Sequence, residues 1–128
     1  MDNKQNQTKI IENYIKAYNN FDINEMCENL SENIVFENIS NEEVDLRIEG
    51  LKNFKQQANS SKKYFTSRNQ IIKDWNFNEN IVKINIEYEG VIAIDFPNGM
   101  KEGDILKLTG ESEFTFEGDK IISIKDKS

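Results

Sequence analysis

Apolar residues recur with helical spacing at three places in the first half of the chain. Over residues 8–20 they stand three, four and seven positions apart, which predicts an amphipathic helix. Asp22 with Glu25 three positions later has the spacing of a helix N-cap, and the apolar stripe after it runs to Leu30. A third stripe predicts a helix over residues 51–63. The apolar members of the three stripes are Ile11, Tyr14, Ile15 and Tyr18, then Ile23, Met26, Cys27 and Leu30, then Leu51, Phe54 and Ala58.

Apolar and polar residues alternate along most of the remaining sequence, which is the period of a β-strand. The predicted strands cover residues 33–40, 44–48, 65–77, 80–95, 104–117 and 120–126. In "VKINIEYE" at 82–89 the apolar side chains face one way and the polar ones the other, as in an antiparallel sheet with one solvated face. The pattern predicts the α+β class, with three helices from the N-terminal half packed against a curved antiparallel or mixed sheet.

Length and charge narrow the possible partners and the compartment. A chain of 128 residues fits one domain, 1–128, in which the polar residues 1–7 are expected to be a flexible N-terminus. With 23 acidic and 16 basic residues the net charge is -7, so we expect neither nucleic acid nor a membrane as a partner. The absence of an apolar signal segment, together with a lone cysteine, predicts a cytoplasmic protein.

The sequence contains no histidine, which removes the usual general base, the usual activator of a nucleophile and the commonest zinc ligand. The acidic runs "NEE" at 41–43 and "EGD" at 102–104 lack the spacing of a calcium loop. We therefore expect no metal and no cofactor. Cys27 lies on an apolar helix stripe and is expected to be inert packing, and only Arg47 and Arg68 offer a forked contact to an anion.

The order of the predicted elements resembles the nuclear transport factor 2-like (NTF2-like) superfamily, in particular its SnoaL-like and ketosteroid isomerase-like branch. The resemblance covers about residues 8–126. It is clearest in "YIKAYNNFDINEMCENLSENIVFEN" at 14–38, "IEGLKNF" at 48–54 and "GESEFTFEGDKIISI" at 110–124. It implies a cone-shaped, cystatin-like fold, a single SnoaL-like domain, and a pocket that opens at one end of the cone.

The ketosteroid isomerases bind an oxyanion with a tyrosine and a protonated aspartate, and they move a proton with a second aspartate. The resemblance places Tyr14 at the tyrosine, Ser112 at the first aspartate and Asn38 at the second. These three are the candidate catalytic residues. Because an amide can donate and accept hydrogen bonds but cannot act as a base, the pocket is expected to hold a polar group without removing a proton.

Strand and helix phases predict which side chains share the pocket. The predicted ligand-binding residues are Tyr14, Phe36, Asn38, Phe54, Ile86, Tyr88, Ser112 and Phe114. The same parity turns five glutamates away from the pocket, namely Glu37, Glu87, Glu89, Glu111 and Glu113, so no inward carboxylate is expected. Asp95 would face inward only if a bulge near Gly90 shifted the register.

Two classes of function remain open from the sequence. The first is a small hydrophobic pocket for a carbonyl- or hydroxyl-bearing molecule, with or without isomerase, cyclase or dehydratase activity. The second is a non-catalytic interaction or dimerisation module, which predicts a filled cone and an apolar outer patch. Structural roles are the alternatives for the site residues: core packing for Tyr14, a strand cap for Asn38 and a small core residue for Ser112. The superfamily often pairs through the outer sheet face, so the resemblance implies a homodimer, and the outward glutamates lead us to expect that it depends on salt.

Overall fold

A computed structural model describes residues 3–128, and within that range the chain forms three α-helices, a 3-10 turn and six β-strands. The helices are α1 (Asn3–Asn19), α2 (Ile23–Met26) and α3 (Leu51–Ser61), and the 3-10 turn is Lys62–Tyr64. The strands are β1 (Leu30–Ser40), β2 (Glu43–Glu49), β3 (Phe65–Asn78), β4 (Ile81–Ile92), β5 (Ile105–Glu117) and β6 (Lys120–Lys127).

The six strands form one sheet in the order β2-β1-β6-β5-β4-β3. β1 and β6 run parallel, and all other neighbours are antiparallel, so the sheet is mixed. Register shifts interrupt the ladders of β1, β3 and the β5–β6 pair, and such bulges bend a sheet. The prediction of the α+β class with a curved, mixed sheet is confirmed.

The helices cover the concave inner face of this sheet. α1 packs on β3 and on α2, and α3 packs on β1. Between them lies the apolar core, because the inward residues of the alternating strands meet the apolar stripes of α1 and α2 there. Its fully buried members are Ile11, Ile34, Val82, Ile84, Phe114, Ile121 and Ile124.

The N-terminal helix begins earlier than the sequence pattern predicts. α1 starts at Asn3, and Gln7 is only 4% exposed because its Nε2 donates to the Glu79 backbone oxygen at 3.0 Å. The prediction of a flexible segment over residues 1–7 is therefore wrong for residues 3–7, while residues 1 and 2 lie outside the described range. The apolar spacing missed this turn because its side chains are polar.

Two other element boundaries differ from the prediction. α2 ends at Met26, and Leu30 begins β1, where it pairs with Ile121 of β6. The sheet, not a longer helix, therefore buries Leu30. β4 ends at Ile92, and Asp95 lies in the following loop, where it accepts a hydrogen bond from the Glu102 backbone. Among residues 3–128, no helix has the length and apolar character needed to cross a bilayer.

Candidate functional site

A cavity of about 310 Å³ lies between the concave face of the sheet and the helices. Its apolar walls are Met26, Phe36, Leu46, Ile48, Phe54, Ala58, Phe65, Leu106 and Leu108. A second cavity of about 320 Å³ adjoins it and shares Tyr18, Asn38, Gln70, Tyr88, Leu108 and Asp126. A mainly apolar hollow with a few polar groups is the usual form of a small-molecule site, and its volume is at the small end of the range.

A carboxylate faces this cavity, and it comes from the last strand. Asp126 lies on β6 between Asn38 of β1 and Ser112 of β5. Ser112 Oγ donates a hydrogen bond to Asp126 Oδ1 at 2.7 Å. Burial raises the pKa of Asp126 to about 6, and the hydrogen bond from Ser112 acts in the opposite direction. The carboxyl group is therefore tuned close to neutral pH.

Tyr14 reaches the cavity from α1 and keeps its hydroxyl proton. Its ring packs edge-on against Phe114, with the centroids 5.8 Å apart, and the side chain is 7% exposed. Burial, and after it the charge of Asp126, raises the Tyr14 pKa well above its ordinary value. Within residues 3–128 its hydroxyl has no hydrogen-bond partner. Tyr14 is therefore an unused donor close to Asp126.

Asn38 is a second polar group beside Asp126. Its backbone pairs with Leu46 on one side and with Asp126 on the other, and a bulge follows immediately in β1. The side chain lines both cavities, and no described residue forms a hydrogen bond with its amide. Asn38 and Ser112 flank Asp126 from adjacent strands, about 10 Å apart at the usual strand spacing.

The other polar group of the cavity is centred on Arg68, which is 5% exposed. Its guanidinium carbon lies 3.7 Å from the ring centroid of Tyr18 and 4.4 Å from that of Phe21, and its Nε donates to the Tyr18 backbone oxygen at 2.7 Å. The Tyr18 hydroxyl donates to the Tyr88 hydroxyl at 3.1 Å. Aromatic faces and a carbonyl thus hold the cation in place.

Most of the predicted pocket residues line a cavity, and one does not. Tyr14, Phe36, Asn38, Phe54 and Tyr88 line the first cavity. Ile86 and Ser112 line only the second. Phe114 lines neither, because it is fully buried behind Tyr14, and its assignment as a lining residue is corrected to a core residue.

The expectation that no carboxylate faces inward is wrong. None of the five glutamates lines the first cavity, but Asp126 does. The signal was present in "ISIKDKS", since Asp126 stands two positions after the buried Ile124 and so shares its face. The described residues bring together no trio of acidic or cysteine side chains suited to a metal ion.

No protein-family model matches the sequence, and no curated protein matches it significantly. Solved structures do match its fold. A candidate polyketide cyclase from Xanthomonas campestris pv. campestris superposes with a TM-score of 0.80 and 18% identity, over 99% of this chain and 93% of the other. An NTF2-like protein of unknown function from Burkholderia pseudomallei K96243 superposes with a TM-score of 0.76 and 9% identity, over 94% of this chain and 88% of the other.

A third similar structure is an LEH-like epoxide hydrolase from M. tuberculosis, with a TM-score of 0.76 and 14% identity, over 96% of this chain and 82% of that one. At such identities the similarity concerns the fold alone. The chain has the NTF2-like fold of the SnoaL-like and ketosteroid isomerase-like proteins, as the resemblance implied. Activities differ among proteins that share this fold, so the activity has to be argued from the site.

Proposed function

We propose that the chain binds a small hydrophobic molecule bearing a carbonyl group, or a hydroxyl group derived from one, and that Asp126 moves a proton on it. The observation that carries the proposal is the Asp126 carboxyl in the cavity, bonded by Ser112 at 2.7 Å and with a pKa raised to about 6. A base with a pKa near the working pH is largely ionised and still holds a proton well.

The reaction that fits this arrangement is proton removal next to a carbonyl group. The Asp126 carboxylate takes the proton from the neighbouring carbon, and the electron pair of that C–H bond forms the double bond of an enolate. Negative charge then develops on the carbonyl oxygen, where the Tyr14 hydroxyl and the Asn38 amide offer unused donors. Return of the proton from Asp126 to another carbon completes an isomerisation. In a cyclisation the enolate carbon attacks a second carbonyl, the π electrons of that carbonyl move to its oxygen, and Asp126 returns its proton to this oxygen.

This assignment gives each of the three candidate residues a role around Asp126. Ser112 orients the carboxylate, while Tyr14 and Asn38 bind the oxygen. The amide at Asn38 is suited to this because it stays neutral beside an acid. The candidate polyketide cyclase of the same fold supports a carbonyl compound as the substrate class, since polyketides carry such groups.

Deuterium exchange tests the proposal without knowledge of the natural substrate. The probe is 2-tetralone, a two-ring ketone, and the readout is incorporation of solvent deuterium next to its carbonyl, followed by proton NMR at pH 7. We expect the wild type to accelerate exchange above the buffer rate. Asp126→Asn should lower the accelerated rate by about 100- to 10,000-fold, because it removes the base and keeps the shape.

The matched control is Glu113→Gln, a carboxylate-to-amide change on the outer face of the same sheet. It should leave the exchange rate unchanged. Undiminished exchange in Asp126→Asn, with the ketone still bound, would contradict proton transfer by Asp126. A wild type that binds the ketone and does not accelerate exchange would reduce the site to binding.

The non-catalytic interaction module is the alternative function. It requires a filled cone and an apolar outer face. The cavity of about 310 Å³ and the ion pairs on the outer face favour the small-molecule function instead.

A further inference from the structure

The cavity buries an arginine that forms no ion pair with an acidic residue of the described range. Arg68 is 5% exposed, and none of its nitrogens lies within 4.0 Å of a carboxylate of residues 3–128. One guanidinium nitrogen, Nη2, is buried without a hydrogen-bond partner. Burying a charge without an opposite charge is costly, and 23 acidic residues were available in the sequence to pair with it.

The groups around Arg68 are organised and incompletely bonded. Gln70 lies two positions after Arg68 on the same face of β3. The Asn19 side chain accepts from the Gln70 backbone nitrogen at 2.8 Å and donates to the Gln70 backbone oxygen at 3.2 Å. The side-chain Oε1 of Gln70 is buried without a hydrogen-bond partner. Phe21 adopts a left-handed φ of 58°, rare for a large side chain, and its ring lies against Arg68. Several contacts therefore position this site, and polar atoms without a partner remain in it.

The Tyr18–Tyr88 pair supplies a further donor at the same place. The Tyr18 and Tyr88 hydroxyls share one hydrogen bond at 3.1 Å, so one hydroxyl proton of the pair remains available. Burial, and after it the neighbouring Tyr18, raises the Tyr88 pKa, so Tyr88 keeps its proton at neutral pH. Arg68, Gln70, Tyr18 and Tyr88 all line the cavity. We call these four residues the arginine end.

We propose that the arginine end binds a carboxylate of the ligand, so that the proton-transfer site takes a small aromatic or alicyclic carboxylic acid. This inference rests on the function proposed above for Asp126. The ligand carboxylate would accept from the Arg68 guanidinium and from the hydroxyl of the Tyr18–Tyr88 pair that remains free to donate, as guanidinium groups bind carboxylates. Arg68 carries a single positive charge and the cavity also holds Asp126, so each additional negative charge on the ligand is less favourable, and a monocarboxylate fits better than a phosphate dianion.

The two polar ends are spaced for a ligand of one or two rings. Tyr14 stands near Asp126 and Tyr18 stands at the arginine end, one helical turn apart on α1, which is about 6 Å along the axis. Phe54, Phe65 and Leu108 supply apolar wall to the same cavity. The class of ligand is therefore a keto or hydroxy monocarboxylic acid with its reacting group at the Asp126 end.

A pair of matched probes tests the carboxylate. We would measure binding of 2-naphthoate and of its neutral analogue 2-naphthamide by calorimetry at pH 7. The wild type should bind the naphthoate at least about tenfold more tightly. Arg68→Met should weaken naphthoate binding by about 10- to 100-fold, the usual loss for a hydrogen bond to a charged group, and change naphthamide binding by less than about threefold.

Two further variants keep the test decisive. Arg68→Lys retains the positive charge and loses the paired N–H donors of the guanidinium group, so it should lose less naphthoate affinity than Arg68→Met. It replaces Arg68→Met in the test if the methionine variant does not fold. Arg47→Met changes the other arginine, which is exposed and paired with Glu37 and Glu49, and it should bind like the wild type. Equal wild-type affinity for the two probes would overturn the carboxylate assignment. Exchange of 2-tetralone through Asp126 would stand independently of that result.

Discussion

The two faces of the sheet hold charge in different ways. On the outer face Glu113 has the amino groups of Lys83, Lys125 and Lys127 within 4.0 Å, and Lys73 and Lys127 pair with Glu87 and Glu111. On the inner face Asp126 and Arg68 have no ion-pair partner among residues 3–128. These outer charges therefore form ion pairs with one another. The unpaired inner charges lower the free energy of unfolding, as is common for groups kept for function.

The largest expected effect on stability concerns Asp126. Because the pKa of Asp126 is raised from 3.8 to about 6 in the folded state, folding favours the protonated carboxyl group. Its contribution to the free energy of unfolding is full below about pH 4. It is lost as the pH rises through 6. The wild type should therefore lose on the order of 3 kcal/mol relative to Asp126→Asn between pH 4 and pH 7. Urea unfolding of both proteins across this range measures the difference, and parallel curves would contradict the shift.

The sequence predicted the inner face well where alternation is unbroken. Strand alternation correctly places Phe36 and Asn38 of β1 and Tyr88 of β4 in the cavity lining, and helical spacing does so for Tyr14. Parity gives the face of a side chain but not its depth. Parity therefore assigns Phe114 to the pocket, although Tyr14 lies in front of it.

The two charged groups of the site were harder to predict. In β6 the run "IISI" hides the alternation, and Ile122 is an extra residue, because Phe116 pairs with Ile121 while Thr115 pairs with Ser123. The inward phase of Asp126 can therefore be inferred from Ile124 but not from the start of the strand. Arg68 lies in the polar stretch "TSRNQ", where no apolar neighbour marks the inner face. Its burial depends on a turn far away in sequence, which local pattern does not encode.

Removing a carboxylate from the outer face should lower the free energy of unfolding at pH 7, whereas removing the Asp126 carboxylate should raise it, and the effect on the outer face should be smaller. Glu113→Gln leaves three lysines near one another without their shared carboxylate, which is 14% exposed. We expect a loss of about 1 kcal/mol in the free energy of unfolding. The loss should shrink at 1 M NaCl, where the screening length is about 3 Å. Lys101→Ala, which removes an exposed loop ion pair with Asp95 at 4.0 Å, is the control and should have no measurable effect. A gain of stability in Glu113→Gln would break the contrast between the faces.

The smallest effect concerns self-association through the outer face. Ion pairs within the chain already occupy Lys83 and Lys127, so few lysines remain to interleave with the glutamates of a second copy. Ile71, 46% exposed, and Ile105, 55% exposed, are large apolar side chains on this face, and Ile71 lies beside Glu87 and Glu89, so a dimer would have to bury apolar area next to like charges. We therefore propose a weak homodimer that forms more readily at high salt, where repulsion between like charges is screened. Light scattering at 20 and 500 mM NaCl should show the mean mass rising with salt, and Glu87→Gln should raise it at low salt. A monomer under all conditions and at high protein concentration would leave the outer face with a structural role only.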